Sequence, residues 1–203
     1  MTHPDPLALV VTGPPGSGKS TLGRELARLL RAALLDQDVL TQPLTALIAE
    51  LTGAGEDLDH PAMTGPVRRA RYDTVLEAAA DNLRSGGPVV VVAPFTRELA
   101  DPAAWAELTA RLAPAPVVLI RVRVPAEVML SRRASRALPR DLAAAGRIGG
   151  GTAAAADVGS VLDLIADGQA DPAVEAARIV TLLGSVVHRL RDPIETTESV
   201  DRP

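Results

Sequence analysis

Eight consecutive residues constrain this chain more than anything else in it. Gly13-Pro14-Pro15-Gly16-Ser17-Gly18-Lys19-Ser20 follows the apolar run Leu7–Thr12 and precedes a stretch with Leu22, Leu26, Leu29 and Leu30 on one helical face. A short run that is apolar throughout reads as a buried strand, and the three-to-four spacing reads as a helix, so the octet is the turn between them. It fits G-x-x-x-x-G-K-[ST] without a mismatch, in the strand, turn and helix setting that the pattern requires. Its glycines let successive amides curl inward, and the helix N-terminus adds free N–H groups and a favourable dipole, which together make a cradle for phosphate. Lys19 is placed to bridge the β and γ phosphates of a nucleotide. The Ser20 hydroxyl is placed to hold Mg²⁺, with waters and phosphate oxygens as further ligands. Thr21 extends the candidate nucleotide-binding run.

Composition supports the reading of Lys19. The chain carries twenty arginines and one lysine, and that lysine is the seventh residue of the octet. Mutational drift toward arginine explains the imbalance, but a compact ammonium at the phosphate loop is a position that a planar guanidinium fills badly. The net charge of −4 leaves no basic face for broad nucleic-acid binding. Without cysteine, disulfides and thiolate chemistry are excluded. His3, His60 and His188 stand apart from one another, with no metal-site spacing. No apolar stretch reaches membrane-spanning length, and MTHPDPLALVV has neither the basic nor the long apolar region of a signal peptide, so a soluble, cytoplasmic protein with no membrane partner is expected. The 203 residues suit one domain, 1–203.

Further along, short apolar runs alternate with helical patterns. Ala33–Leu35 ends in Asp36-Gln37-Asp38 and is followed by a helical segment opening at Pro43. Thr64 to Arg84 reads as a long amphipathic helix stopped by Ser85-Gly86-Gly87-Pro88. Val89–Val92, a helix from Asp101-Pro102, Val117–Val122, a helix from Pro125 to Leu138, Val161–Ile165 and a last helix from Pro172 complete the series. Gly149–Ala156 reads as a simple loop and the tail 192–203 as unpatterned. Five through-apolar runs alternating with helices describe an α/β fold with a parallel sheet covered on both faces, and such sheets bind ligands beyond the carboxyl ends of their strands.

Asp36 and Asp38 stand at one of those ends. On an extended chain a spacing of two puts both carboxylates on one face, where one can order Mg²⁺ and the other take a proton from an acceptor hydroxyl. Either could instead cap the turn that follows. Arg132 and Arg136, four apart on a helix, can reach one anion together. Arg68, Arg71 and Tyr72 make one polar face at the start of the long helix. Phe95 and Arg97 follow the third strand at its carboxyl end, which places them in an acceptor pocket.

GPPGSGKSTLGRELARLL followed by LLDQDVL resembles the P-loop kinases that phosphorylate small molecules and nucleotides, among them gluconate, shikimate and adenylylsulfate kinases and chloramphenicol phosphotransferase. The specific part of the likeness covers residues 7–40 and 121–141. It implies a P-loop NTPase three-layer sandwich with a five-stranded parallel sheet in the order 2-3-1-4-5 and an arginine-rich lid at about 125–155. It also implies Asp38 as the residue serving the acceptor hydroxyl, Asp36 on the metal side, and Arg132 and Arg136 as lid arginines, Arg132 also against the base. Asp167-Gly168-Gln169 falls where relatives hold adenine. One departure is that strand three ends Val-Val-Val-Val-Ala-Pro-Phe, with no terminal aspartate of the usual ATPase kind. The expected activity is ATP- and Mg²⁺-dependent phosphoryl transfer to a hydroxyl of a small molecule. The competing expectation is a nucleotide-binding regulatory ATPase or switch with no small-molecule acceptor.

Overall fold

The computed structural model describes residues 6–55, 60–136 and 162–191. The five apolar runs form one sheet: β1 (Ala8–Thr12), β2 (Ala33–Asp36), β3 (Val89–Val92), β4 (Val117–Arg123) and β5 (Leu162–Asp167). All neighbours pair in parallel, in the order β2-β3-β1-β4-β5. Among the described residues six α-helices accompany them: α1 (Lys19–Leu30), α2 (Gln37–Thr52), α3 (Arg68–Arg84), α4 (Pro102–Leu112), α5 (Ala126–Arg136) and α6 (Pro172–Arg191).

Burial on both faces explains why the central strands β1 and β3 are apolar without alternation, whereas the edge strand β5 alternates, with Asp163 and Ile165 exposed. Val89 and Val91 pack with Val75, Leu76 and Ala79 of α3 and Trp105, Leu108 and Leu112 of α4 on one face. Val90 and Val92 pack with Leu22 and Leu26 of α1 and with Ala176, Ile179 and Leu183 of α6 on the other. Each buried valine is worth about 1.5–3 kcal/mol relative to exposure, so the four-valine strand anchors both layers. Gly23 sets the depth of α1, because a Cβ there would stand 2.5 Å from Val92 Cγ2. The sheet order reverses at β1, between β3 and β4, and the crevice beyond the strand ends at that switch is where ligands enter folds of this kind.

Several element boundaries differ from the sequence reading. The helix expected from Pro43 begins six residues earlier, at Gln37, because Asp36 caps it directly: its Oδ1 accepts the Asp38 N–H at 3.0 Å. Pro43 therefore lies inside α2, where its missing N–H leaves one helical carbonyl without its usual donor. The long helix expected from Thr64 is divided. Gly65, at φ −96° and ψ −107°, is non-helical, a π-type turn occupies Met63–Val67, and α3 proper starts at Arg68. β5 runs two residues beyond Ile165, to Asp167. Residues 137–155 of the expected lid, the Gly149–Ala156 stretch and the tail 192–203 lie outside the described residues.

Candidate functional site

The octet joins β1 to α1 as expected. Gly18, at φ 94°, is the N-cap residue of α1 and offers no side chain, so no side chain caps the first-turn amides, and there is no acidic residue in that turn. Those N–H groups and the helix dipole face the loop, which is the arrangement that receives an anion. Gly13 is required by close approach: a Cβ there would stand 2.6 Å from Ser17 Oγ and 2.9 Å from the Val122 carbonyl. Gly16 and Ser17 are buried, while Pro14 and Pro15 are exposed at the loop's crest. Lys19 and Ser20, in the first turn of α1, are half-buried, and Thr21 is exposed.

Beside this loop opens a cavity of about 450 Å³, lined by Gly16, Gly18, Thr21 and Leu22, by Arg132 and Ser135 of α5, and by the segment Asp167–Pro172 with Glu175. Gly168 closes its floor. A Cβ on Gly168 would overlap the Ser17 carbonyl and stand 2.9 Å from the Arg123 carbonyl, so the loop after β5 rests directly on the phosphate loop. Arg132 donates from Nη1 to the Gly168 carbonyl at 2.7 Å. Its guanidinium thereby spans the cavity mouth, and a Cβ on Gly18 would lie 3.7 Å from the same nitrogen. A planar cation at that point suits stacking on a base or contact with phosphate. Arg136 lies one turn further along α5.

The β5–α6 loop is held by residues that the sequence reading did not single out. Glu175 accepts the Asp167 N–H at 2.9 Å and is gripped by Arg178, whose Nη2 donates at 2.6 Å to Oε1 and whose Nε donates at 2.9 Å to Oε2. The Arg178 guanidinium holds the Glu175 carboxyl below the usual glutamate range, against the opposing effect of burial. Asp167 caps Gln169 N at 2.8 Å, and Asp171 caps Ala173 and Val174. The D-x-x-x-E-x-x-R spacing of Asp171, Glu175 and Arg178 was a detectable signal for an acid-capped helix start.

On the opposite side of the phosphate loop stand Asp36 and Asp38. They are not two side chains on one strand face, as their spacing implied. Asp36 ends β2, is buried, and spends one oxygen on capping; Asp38 is the second residue of α2 and half-exposed. The capping possibility therefore holds for Asp36, and the chain turns into helix between the two. Arg71 of α3 donates from Nη2 to Asp38 Oδ1 and from Nε to Thr41 Oγ1, both at 2.9 Å. Arg68 donates to Thr96 Oγ1 at 2.9 Å, and its guanidinium carbon lies 5.8 Å from the centre of the Tyr72 ring. Tyr72 meets Phe95 edge-on at 5.6 Å, and burial pushes the Tyr72 hydroxyl's pKa up, with Arg68 opposing.

The structure thus joins Asp38, Arg68, Arg71, Tyr72 and Thr96 on one side. It does not put Phe95 on an open pocket wall: the ring is fully buried beneath Tyr72, in a residue at φ 45°, and supports that side from below. Arg97 points away as well, pairing at 3.2 Å with the exposed Glu107 of α4.

The residues present fit a nucleotide polyphosphate through the uncapped α1 terminus and the glycine-built cradle. They fit Mg²⁺ as well. No three His, Cys, Asp or Glu side chains among the described residues form a self-contained metal cage, and the hydroxyl of Ser20 with a carboxylate such as Asp36 is the donor set that Mg²⁺ completes with phosphate oxygens and water.

The fold and this loop define a P-loop protein of the nucleoside-phosphate-binding α/β type. More particularly, the chain belongs to the AAA domain family, whose model it matches over residues 9–147. It is 39% identical over 95 residues to the shikimate kinase of Corynebacterium efficiens, a match covering 45% of this chain and 51% of that protein. The chain spans about half the length of the curated relatives it matches. Two solved structures share the fold over most of their length: a sugar kinase from Janibacter sp. (18% identity, TM-score 0.59, covering 88% of this chain and 95% of that one) and a gluconokinase from Sinorhizobium meliloti (19%, 0.56, 92% and 96%). No described helix is long and apolar enough to cross a membrane.

Proposed function

We propose that this protein is an ATP- and Mg²⁺-dependent kinase that moves the γ-phosphoryl group to a hydroxyl of a small molecule. The observation that carries the reading is the opposition, across the end of one sheet, of an uncapped glycine-built phosphate cradle and a half-exposed carboxylate, Asp38, fixed by Arg71. The named activity of the shikimate kinase relatives agrees with it.

Phosphoryl transfer of this kind asks the protein for positioning and charge stabilisation more than for covalent chemistry. In this reading the loop Gly13–Thr21 holds the triphosphate through the N–H groups of its non-proline residues and the Lys19 ammonium, Pro14 and Pro15 shaping its crest, with Arg132 against the base or the phosphates. Ser20 and Asp36 would hold Mg²⁺, which would supply positive charge to the phosphates. Asp38 orients the acceptor hydroxyl and takes its proton, and Arg71 keeps that carboxylate aimed. Arg68, Tyr72 and the buried Phe95 under it form the acceptor wall. Arg136 completes the arginine set of a lid at about 125–155, and residues 1–203 make a single kinase-like domain.

Incubation with γ-labelled ATP, Mg²⁺ and a panel of hydroxylated metabolites tests the proposal. Label entering an organic product is the expected result. Label released only as inorganic phosphate, whatever acceptor is supplied, overturns it in favour of a nucleotide-driven switch.

A further inference from the structure

The helix α2 is amphipathic in the opposite sense to that expected of a helix lying on its own chain. Its buried positions are Gln37, Thr41, Thr45 and Ala49. The two threonine hydroxyls donate back to the carbonyls of Gln37 and Thr41, each at 2.7 Å. Ala49 and two threonines whose hydroxyls are satisfied locally therefore face the rest of the molecule, together with Gln37, whose buried Nε2 has no hydrogen-bond partner. The large apolar side chains face water: Leu40, Leu44, Leu47 and Leu51 are 40%, 65%, 51% and 77% exposed.

Their spacing of four, three and four residues sets them in one stripe about 60° wide on a helix of 3.6 residues per turn. These are the d, a, d and a positions of a heptad, the seam that inserts into the matching seam of another helix. Monomeric soluble proteins rarely leave a contiguous apolar patch of more than a few hundred Å² uncovered.

The molecule itself indicates what covers the stripe. Contact between two unlike patches would need a second large apolar face. Among the described residues, the other exposed large apolar side chains outside α2 are Leu29, Leu130, Ile165, Val174 and Leu182, scattered over four elements with at most two on any one. The seam is complementary to itself, and a self-complementary patch closes as a two-fold dimer. The charged residues of α2, Asp38 and Glu50, lie off the stripe, so no like charge enters the paired seam. The exposed parts of the four leucines amount to roughly 420 Å² per chain, so two copies bury about 850 Å² in the seam itself, and the side chains flanking it need supply only the remainder of the ~1,000 Å² that a specific interface clears.

We infer that two copies of this chain associate through the leucine seam of α2. Asp38 turns toward α3 through Arg71, away from the seam, so the dimer leaves the candidate site open.

Sedimentation velocity of the full chain between about 1 and 100 μM is expected to show a species of twice the chain mass. Leu44→Glu combined with Leu47→Glu is expected to weaken association at least 100-fold, leaving a folded monomer by circular dichroism with unchanged nucleotide affinity. Mixing that chain with one carrying Leu44→Lys and Leu47→Lys restores a one-to-one pair. A gentler variant keeps the inference testable if the charged chains fail to fold. Because the sequence has no cysteine, mixing a chain that carries only Leu44→Cys with one that carries only Leu47→Cys is expected to give a covalent dimer on oxidation, with no intrachain bond to compete, while Val174→Cys gives none. A wild-type monomer at 100 μM, a glutamate variant that associates as the wild type does, or a seam-cysteine chain that stays monomeric overturns the inference.

Discussion

The two sides of the candidate site are made of different material. The phosphate side is backbone: Gly13, Gly18 and Gly168 are places where a side chain would collide or a helix terminus would be covered, and their absence lets amides and carbonyls meet directly. The opposite side is made of long side chains that hold one another: Arg71 on Asp38 and Thr41, and Arg68 on Thr96 above Tyr72. A backbone cradle is fixed by one contiguous segment and recognises what all nucleoside triphosphates share. A side-chain wall drawn from α2, α3 and the loop after β3 can be altered residue by residue without disturbing the cradle. This division lets one fold serve many acceptors.

The division breaks most visibly at Lys19. Lys19→Ala is expected to lower transfer by at least about 10³-fold and to weaken nucleotide binding as well, because the ammonium acts on ground-state and transferring phosphates alike; calorimetric titration with a non-hydrolysable analogue reads the second effect. On the same side, Gly168→Ala pushes a methyl against the Ser17 carbonyl. Nucleotide affinity is expected to fall about tenfold while the acceptor KM stays put; a rise confined to the acceptor KM would show that the β5–α6 loop belongs to the other side. Conversely, Arg71→Ala is expected to raise the acceptor KM about tenfold and leave nucleotide affinity unchanged, since it frees Asp38 and Thr41 of their shared partner.

The smallest effect is one of stability. Arg178 depresses the Glu175 pKa below its ordinary value of 4.5, so the pair contributes fully above that value and its contribution is lost as pH falls through the depressed one. Glu175→Gln is expected to cost about 1 kcal/mol at neutral pH, a figure reduced for the half-exposed Arg178. The gap from wild type narrows in acid, and denaturant melts at pH 7 and pH 3 compare the two. A gap that stays constant or widens in acid would show that the ion pair does not hold the loop.

The same contrast explains what was legible in the sequence. The cradle and the parallel sheet were readable because a contiguous octet and five short apolar runs carry them, and the local rules of strand, glycine turn and helix all agree; the strand order came only from the resemblance to the P-loop kinases, since no local rule says which strands pair. The start of α2 was not, because Asp36 both ends a strand and caps a helix, and spacing alone reads Asp38 as extended chain. Phe95 was assigned to an open wall because a lone aromatic after a strand gives no sign of whether it faces up or down; packing under Tyr72 decides that. Glu175 and Arg178 went unnoticed although their spacing was plain, since only tertiary contact brings Asp167 to them. Leu40, Leu44, Leu47 and Leu51 carry the periodicity of any buried stripe, and sequence alone does not say that the threonines are the inward face.

The account rests most heavily on Asp38 serving an acceptor while the cradle works independently of it. The direct measurement follows γ-labelled ATP in wild type and Asp38→Asn, recording nucleotide affinity and the fate of the label together. The expected result is equal affinity within about twofold, with transfer to organic product lowered by about 10²–10⁴-fold in the variant. Equal organic product from both proteins would contradict the account.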